Sequence, residues 1–389
     1  MARSRNLSEK KPKDISLSEL RDEIRELTKS ILVLSKARQT VSLEIAGIKK
    51  ESGLDIENTK VERELLSSMA DYSERIGLDR ENARNLVMSL IESSKTAQRE
   101  FIYRNEIRSF LESENIERIS IAGAGRMGCW FAKYFQNFDE HVIVYDEDQN
   151  KAKTKAEEIG AEYASTIDAL VNSHLIIVAV PIAKTLGVIR EIIQAVQASK
   201  SNKALKIIEI SSIKNEMGHA GLLDGSSPDG QKVELFSIHP LFGASADSYG
   251  NNEIVQVFPK ESAFIRSIFP QYKILTLGWR EHDKLMSLFL TVPHTLALVF
   301  ADLLAKQGRV DSVNKGLKTP SFDHMLELSR RVLSENPEVY YEIQASNPFT
   351  DEAFSETLSS IHKLRKLLNS RTEFVNFFHE ANRIIGIDY

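Results

Sequence analysis

The chain has 389 residues, 42% of them hydrophobic and 27% charged, which is enough for two or three domains with real apolar cores. A formal charge of −5 leaves no broad basic face, so neither nucleic acid nor a membrane surface is expected as a partner, and small molecules are. The single cysteine, Cys129, excludes an intrachain disulfide and fits a reducing compartment, the cytoplasm.

Residues 1–14 are polar and basic and read as a disordered leader. From there, Leu17, Leu20, Ile24, Leu27, Ile31, Leu34, Val41, Ile45 and Ile48 recur three and four apart with one gap, the pattern of a long amphipathic helix. Arg38 fills the gap and Gly53 is a helix stop. A second helix is expected from Val61 to about Ile76, closed by Gly77. A third follows the cap Asp79 and runs through Ala83, Val87, Leu90 and Phe101 toward Leu111. Residues 15–112 are therefore expected to form an all-helical domain.

Near Glu117 the period changes. A short apolar run ending at Ala122 leads into Gly123-Ala-Gly125-Arg126-Met127-Gly128, then a helical stretch, then Val142 to Asp146: strand, glycine turn, helix, strand. Further buried strands are expected at Leu175 to Val180 and Lys206 to Ile210, so residues 113–279 read as a mostly parallel sheet with helices, a Rossmann-type domain. The longest strongly apolar run, Leu175 to Ala183, falls far short of the ~20 residues that span a bilayer. Residues 280–389 turn helical again, with Pro320 and Pro337 at expected helix starts. The expected fold class is multi-domain, α and α/β.

The glycine triplet follows a strand and opens a helix, and Asp146 ends the next strand, as a dinucleotide site requires. Gly123 allows the turn, Gly125 lets a pyrophosphate approach and Gly128 permits close packing, with Arg126 and Met127 at the helix N-terminus. Asp146 is expected to hold the adenosine ribose hydroxyls. With Glu147 and Asp148 beside it, a 2′-phosphate would be repelled, so NAD is the expected cofactor. Open α/β sheets bind ligands at the C-terminal ends of their strands. Val180-Pro181-Ile182, Ser211 to Asn215 and Ser237 to Gly243 are the candidates there, and His239 is the first choice for receiving an alcohol proton.

The order GAGRMG, VPI, SSIKN, HPLFG, REHDKLM and SRRVLSENPEVY closely resembles the prephenate dehydrogenase family over residues 118 to about 345. By that resemblance His239 is the catalytic histidine at the ring hydroxyl of prephenate, Ser212 lies near that hydroxyl and the nicotinamide, and Arg331 grips a carboxylate. His282 and His294 match two further family histidines, placed with the substrate. The resemblance also implies that the C-terminal helices, 280–389, dimerise.

In the first helix, Arg38 in the apolar seam calls for a partner, and Lys49, eleven residues on, returns to nearly the same face ~16 Å along the axis. Ser94 and Gln98 share a face of the third helix, and Arg63 and Glu64 lie near the start of the second. Together with Arg21 these residues resemble the all-helical chorismate mutase family over residues 17 to 104. The resemblance implies that Arg21, Arg38 and Arg63 hold the two carboxylates of chorismate, with Ser94 adding a hydrogen bond. Lys49 and Gln98 would bond the ether oxygen and Glu64 the ring hydroxyl. Arg21 and Arg38 are seventeen residues apart, ~25 Å along one helix, so they could serve one ligand only if Arg21 reached from a second copy, which implies a homodimer with shared sites. The expected function is thus a fused mutase and NAD-dependent dehydrogenase. The alternatives are arogenate in place of prephenate, and a degenerate helical module kept for dimerisation or regulation.

Overall fold

The computed structural model describes residues 16–138, 140–199, 204–223, 233–257, 262–306 and 319–386. The expected leader lies outside the described residues. The chain divides into two units, Met1–Ser109 with Asp247–Asn251, and Phe110–Ala246 with Asn252–Tyr389.

The first unit is helical. Helix α1, Leu17–Ser52, opens on a capping box in which Ser16 and Glu19 exchange hydrogen bonds, and closes on Gly53 in the left-handed conformation. Helices α2, Thr59–Arg75, and α3, Arg80–Ser113, follow. Asn58 caps α2 through the Val61 N–H, which fixes its register: Glu62, Leu65, Leu66, Met69 and Ser73 form the inward stripe. The seam of α1 stays open. Leu17, Leu20, Ile24, Leu27, Ile31 and Leu34 are all exposed, as is every residue from 16 to 34.

The second unit is built on an eight-stranded sheet among the described residues, in the order β3-β2-β1-β4-β5-β6-β7-β8. The strands are β1 (Arg118–Ala122), β2 (His141–Tyr145), β3 (Glu162–Tyr163), β4 (Leu175–Val178), β5 (Leu205–Glu209), β6 (Val233–Pro240), β7 (Glu253–Val257) and β8 (Lys273–Leu277). All adjacent pairs are parallel except β6 and β7, so β1, β4, β5 and β6 end on one edge. Ile176, Val178, Ile207, Leu235 and Val255 pack with Ile189 and Ile192 of the helix Ile182–Ala198, giving the continuous apolar strands of a sheet covered on its faces. Beyond β8, an α-helix (Trp279–Met286), a π-turn (Ser287–Thr291) and another α-helix (Val292–Lys306) run on without a break. Further helices span Pro320–Leu333, Pro337–Ser346, Thr350–Leu367 and Arg371–Ile385.

The segment Trp279–Lys306 differs from the expectation that no stretch could cross a membrane, because it is long and apolar enough by length and composition, with only 11% of its apolar window buried. Polar residues interrupt its apolar ones in sequence and hide the signal from a search for one unbroken run. Leu288, Phe289, Leu296, Leu298, Val299 and Leu303 lie exposed along it.

Candidate active sites

At the end of β1 the chain turns at Gly123, with φ 112°, and a Cβ there would stand 2.3 Å from the Ala179 carbonyl oxygen. Gly128 is equally constrained, since its Cβ would lie 1.9 Å from the Gly123 oxygen. These contacts hold the turn against the start of the helix Arg126–Gln136 and against Val180, which leads into Pro181, the N-cap of the helix Ile182–Ala198. Gly125 faces open space, so the first N–H groups of the helix, including those of Arg126 and half-buried Met127, can be approached by a phosphate. The Arg126 side chain pairs with Glu335.

Asp146 stands at the expected place just past β2, but its carboxylate has protein partners. It accepts from the Ala124 N–H (2.8 Å), the Asp148 N–H (3.0 Å) and the Lys151 ammonium (2.8 Å). Burial pushes its pKa up, and the Lys151 ammonium with the two N–H groups outweighs that and holds it below the ordinary value. Lys184 pairs with Glu147 in the same way. Sequence reasoning counted the acids and missed both lysines, each the third residue of its helix (Gln149–Ile159 and Ile182–Ala198), where an ammonium is ordinarily a solvated side chain.

On the same sheet edge, β6 carries His239, 4% exposed. Its Nδ1 lies 3.0 Å from His282 Nε2, and His282 Nδ1 lies 2.7 Å from Asp283 Oδ1. The Lys214 backbone N–H donates to both Asp283 oxygens at 2.9 and 3.1 Å. The Lys214 ammonium donates to Glu209 Oε1 at 2.6 Å and to the Ile238 carbonyl at 2.9 Å, while Ser211 and Ser237 donate to Glu209. Glu209, Lys214, His282 and Asp283 are all 0% exposed. Charges so buried persist only when paired and hydrogen-bonded, as these are. Burial, then the neighbouring His282 and Lys214, push the His239 pKa well below its usual value, and burial first of all lowers His282 too. Glu209 was legible: a carboxylate inside the apolar run of β5 needs a buried partner.

His282 is corrected by this geometry. With no exposed surface and both ring nitrogens engaged, it is placed behind His239 and not against a substrate. Ser212, half-buried between Ser211 and Ile213, makes no hydrogen bond among the described residues. His294 stacks edge-on with Tyr340 (centroids 4.3 Å apart), has a buried Nδ1 without a partner, and burial lowers its pKa to about 4. Arg331 faces solvent. Its helix buries Ser329 and Val332, which leaves Arg331 73% exposed and 3.6 Å from Glu327. Its charge is still felt by the Tyr340 phenol, which also senses Glu335 and Arg126.

In the helical unit, half-buried Arg38 donates to the Leu90 carbonyl and to Ser94 Oγ, so a hydroxyl and a carbonyl meet the need its seam position creates. Gln98 Nε2 donates to Ser42 Oγ at 2.6 Å while its Oε1 is buried without a partner, and Lys49 donates to the Ile56 carbonyl. If the Gln98 amide turned over, the Ser42 hydroxyl would donate to Oε1 and the NH₂ would be free for an incoming acceptor. Arg63 and Glu64 are exposed, contrary to expectation, because the Asn58 cap turns Glu62 inward instead, 3.5 Å from Lys95. Beside it Arg99, 4% exposed, pairs with Glu57 (2.6 Å) and Glu92 (3.2 Å). Arg21 stands on the exposed stretch of α1.

Residues 20–99 match the family model of chorismate mutase type II, residues 131–256 that of the prephenate dehydrogenase nucleotide-binding domain, and residues 280–380 that of the prephenate dehydrogenase dimerization domain. The chain is 21% identical over 337 residues to the T-protein of Enterobacter agglomerans, covering 85% of this chain and 82% of that protein. It is 26% identical over 289 residues to a "Probable arogenate/prephenate dehydrogenase" of Methanocaldococcus jannaschii, where the match covers 71% of this chain and 62% of the relative's length. Its fold resembles that of prephenate dehydrogenase from A. aeolicus, solved in complex with hydroxyphenyl propionate and NAD+ (TM-score 0.52, 16% identity, 70% of this chain and 98% of that one). It also resembles that of Synechocystis arogenate dehydrogenase (TM-score 0.51, 18% identity, 68% and 97%). The two dehydrogenase models together cover more than half of the chain and the mutase model precedes them, so the chain belongs to the bifunctional chorismate mutase/prephenate dehydrogenase family.

Proposed function

We propose that this chain catalyses two consecutive steps of tyrosine biosynthesis. Residues 15–112 rearrange chorismate to prephenate, and residues 113–279 with 280–389 oxidatively decarboxylate prephenate to 4-hydroxyphenylpyruvate with NAD. The observation that carries the dehydrogenase reading is a buried His239, kept neutral, on the same sheet edge as a glycine turn whose Gly125 leaves the helix N-terminus open.

NAD, when bound, supplies the hydride acceptor; Gly123, Gly125 and Gly128 with the N–H groups of Arg126 and Met127 would hold its pyrophosphate, and Asp146 with Val180 and Pro181 would flank it. His239 draws on the hydroxyl proton as hydride leaves the ring carbon. The C–C bond to the ring carboxylate then breaks, CO₂ departs, and the proton returns to the phenolic oxygen as the ring becomes aromatic. Ser212 is free to bond the same hydroxyl, Arg331 a carboxylate, and the orphaned Nδ1 of His294 is available to the substrate.

In the mutase, Arg38 and Ser94 hold a carboxylate, and Lys49 and Gln98 stabilise the negative charge that grows on the ether oxygen, which is electrostatic preorganisation without covalent chemistry. Of the two acids near the start of α2, Glu62 is turned inward toward Lys95 and Glu64 is exposed in the single chain. Arg21 completes the site from a second copy, in a homodimer that covers the open α1 seam. The exposed apolar flank of Trp279–Lys306 lies in the stretch that matches a dimerization domain and is read as covered by the same partner, not by lipid. We place the dimer in the cytoplasm.

Purified protein given chorismate and NAD should consume chorismate and form NADH, and prephenate with NAD should form NADH alone. Arogenate in place of prephenate tests the rival substrate. Failure to consume chorismate while prephenate is oxidised would make the helical unit a dimerisation element, the reading favoured by the outward Arg63 and Glu64.

A further inference from the structure

We propose that Asp283 and His282 are positioning residues that fix the tautomer of His239, so that Nε2 is the atom that receives the substrate proton. The inference rests on the reading of His239 as the base and adds how it is armed. Asp283, held by the Lys214 N–H on both oxygens, is an acceptor only, so His282 must carry its proton on Nδ1 to bond it. The Nε2 of His282 is then a lone-pair acceptor, and at 3.0 Å it can be bonded only if His239 carries its proton on Nδ1. That leaves the lone pair of His239 on Nε2. This atom has no hydrogen-bond partner among the described residues, and it is not one of the polar atoms sealed away from solvent.

The relay is rigid at each joint. His282 and Asp283 have no exposed surface, the Asn347 side chain donates to the Asp283 carbonyl at 2.8 Å, and the Lys214 ammonium is locked on Glu209 and the Ile238 carbonyl. A buried donor or acceptor left unpaired costs about 1–3 kcal/mol, so the opposite tautomer, which sets two lone pairs or two protons against each other, is disfavoured.

The test begins with the wild-type protein. Two-dimensional ¹⁵N–¹H NMR of the imidazoles, with His239 assigned through His239→Asn, should find His239 protonated on Nδ1 and His282 on Nδ1; a proton on His239 Nε2 overturns the proposal. The variants then read function. In Asp283→Asn the amide oxygen must face the Lys214 N–H, so its NH₂ faces His282 and reverses both tautomers. The kcat for prephenate oxidation should fall about 10²- to 10⁴-fold with KM for prephenate and NAD within threefold, and the His239 proton should move to Nε2. His282→Gln retains a donor toward Asp283 and an acceptor toward His239 and should keep kcat within tenfold of wild type, whereas His282→Leu should lose a hundredfold or more. Equal kcat in the Gln and Leu variants, both shown to be folded by near-ultraviolet circular dichroism and NAD binding, would also overturn it. If the wild type forms no NADH from prephenate, the functional reading fails, while the NMR result still decides the relay.

Discussion

The two candidate sites differ in what encloses their charges. Around His239, one chain alone buries two carboxylates, an ammonium and two imidazoles to 4% exposure or less. In the helical unit Arg38 and Lys49 are half-buried, Arg21 is exposed, and the apolar seam of α1 is exposed among the described residues. A site closed within one chain sets its protonation states by itself. One that lies on open helices is, on the proposed reading, closed by a second copy that excludes water and supplies Arg21.

The sharpest way to break that comparison is at His239. His239→Asn should lower kcat for prephenate oxidation about 10²- to 10⁴-fold, as the loss of a general base does, and leave mutase activity unchanged. Steady-state NADH formation and chorismate loss measure the two, and a matching fall in mutase rate would mean the sites are not independent. Next comes sharing. Arg38→Ala and Arg21→Ala should each lose about 10²- to 10³-fold in mutase rate, the scale of one preorganised donor. Refolded as an equal mixture they should recover roughly a quarter of wild-type activity, since half the dimers are mixed and one of their two sites is whole. No recovery, with mixed dimers verified by mass spectrometry, would leave Arg21 a structural residue.

A smaller effect is expected at the cofactor. NAD should be preferred over NADP by at least about tenfold in kcat/KM, because Asp146 is buried and ionised just past β2, where the ribose is proposed to bind. Equal values would mean that Lys151 and Lys184 cancel the acidic edge. Smallest is a difference in acid sensitivity. All nine histidines lie in the second unit, and His239, His282 and His294 are held below their ordinary value. The unfolded chain therefore binds more protons below pH 6.5, so their contribution to stability is full above that pH and is lost as the pH falls through the folded values, about 4 for His294. Calorimetry at pH 7.5 and 5 should show the second unit losing a few degrees of Tm relative to the first. An equal fall in both units would contradict this.

Much of the fold was legible because it is periodic. The three-four spacing of α1 and the strand-glycine-helix-strand unit were readable from residue type alone; Gly53, Gly77 and Gly123 mark turns that the structure uses, and Gly128 the close packing of a helix on one of them. What was not legible depends on the phase of a helix or on contacts distant in sequence. Arg63 and Glu64 point outward because one cap residue, Asn58, sets where α2 begins. His282 proved to be a buried neighbour of His239 because β6 and a helix forty residues later bring them together, which no local pattern encodes. The antiparallel β7 and the lysines on Asp146 and Glu147 escaped for the same reason.

The π-turn at Ser287–Thr291 lies between His282 and His294 and holds one residue more than an α-turn would. A π-turn winds about as far as an α-turn with one residue fewer, so the helix beyond it keeps its axis and phase while the sequence along it is advanced by one position. Deleting exposed Leu288 or Phe289 would therefore restore the regular α-helical ladder and leave His294 beside Tyr340 and Thr291 buried, whereas a deletion within Trp279–Met286 would turn everything downstream by about 100° and draw it back by about 1.5 Å. The turn is thus the one place in this run where the chain can change its length by a residue without changing how His282 and His294 stand to one another.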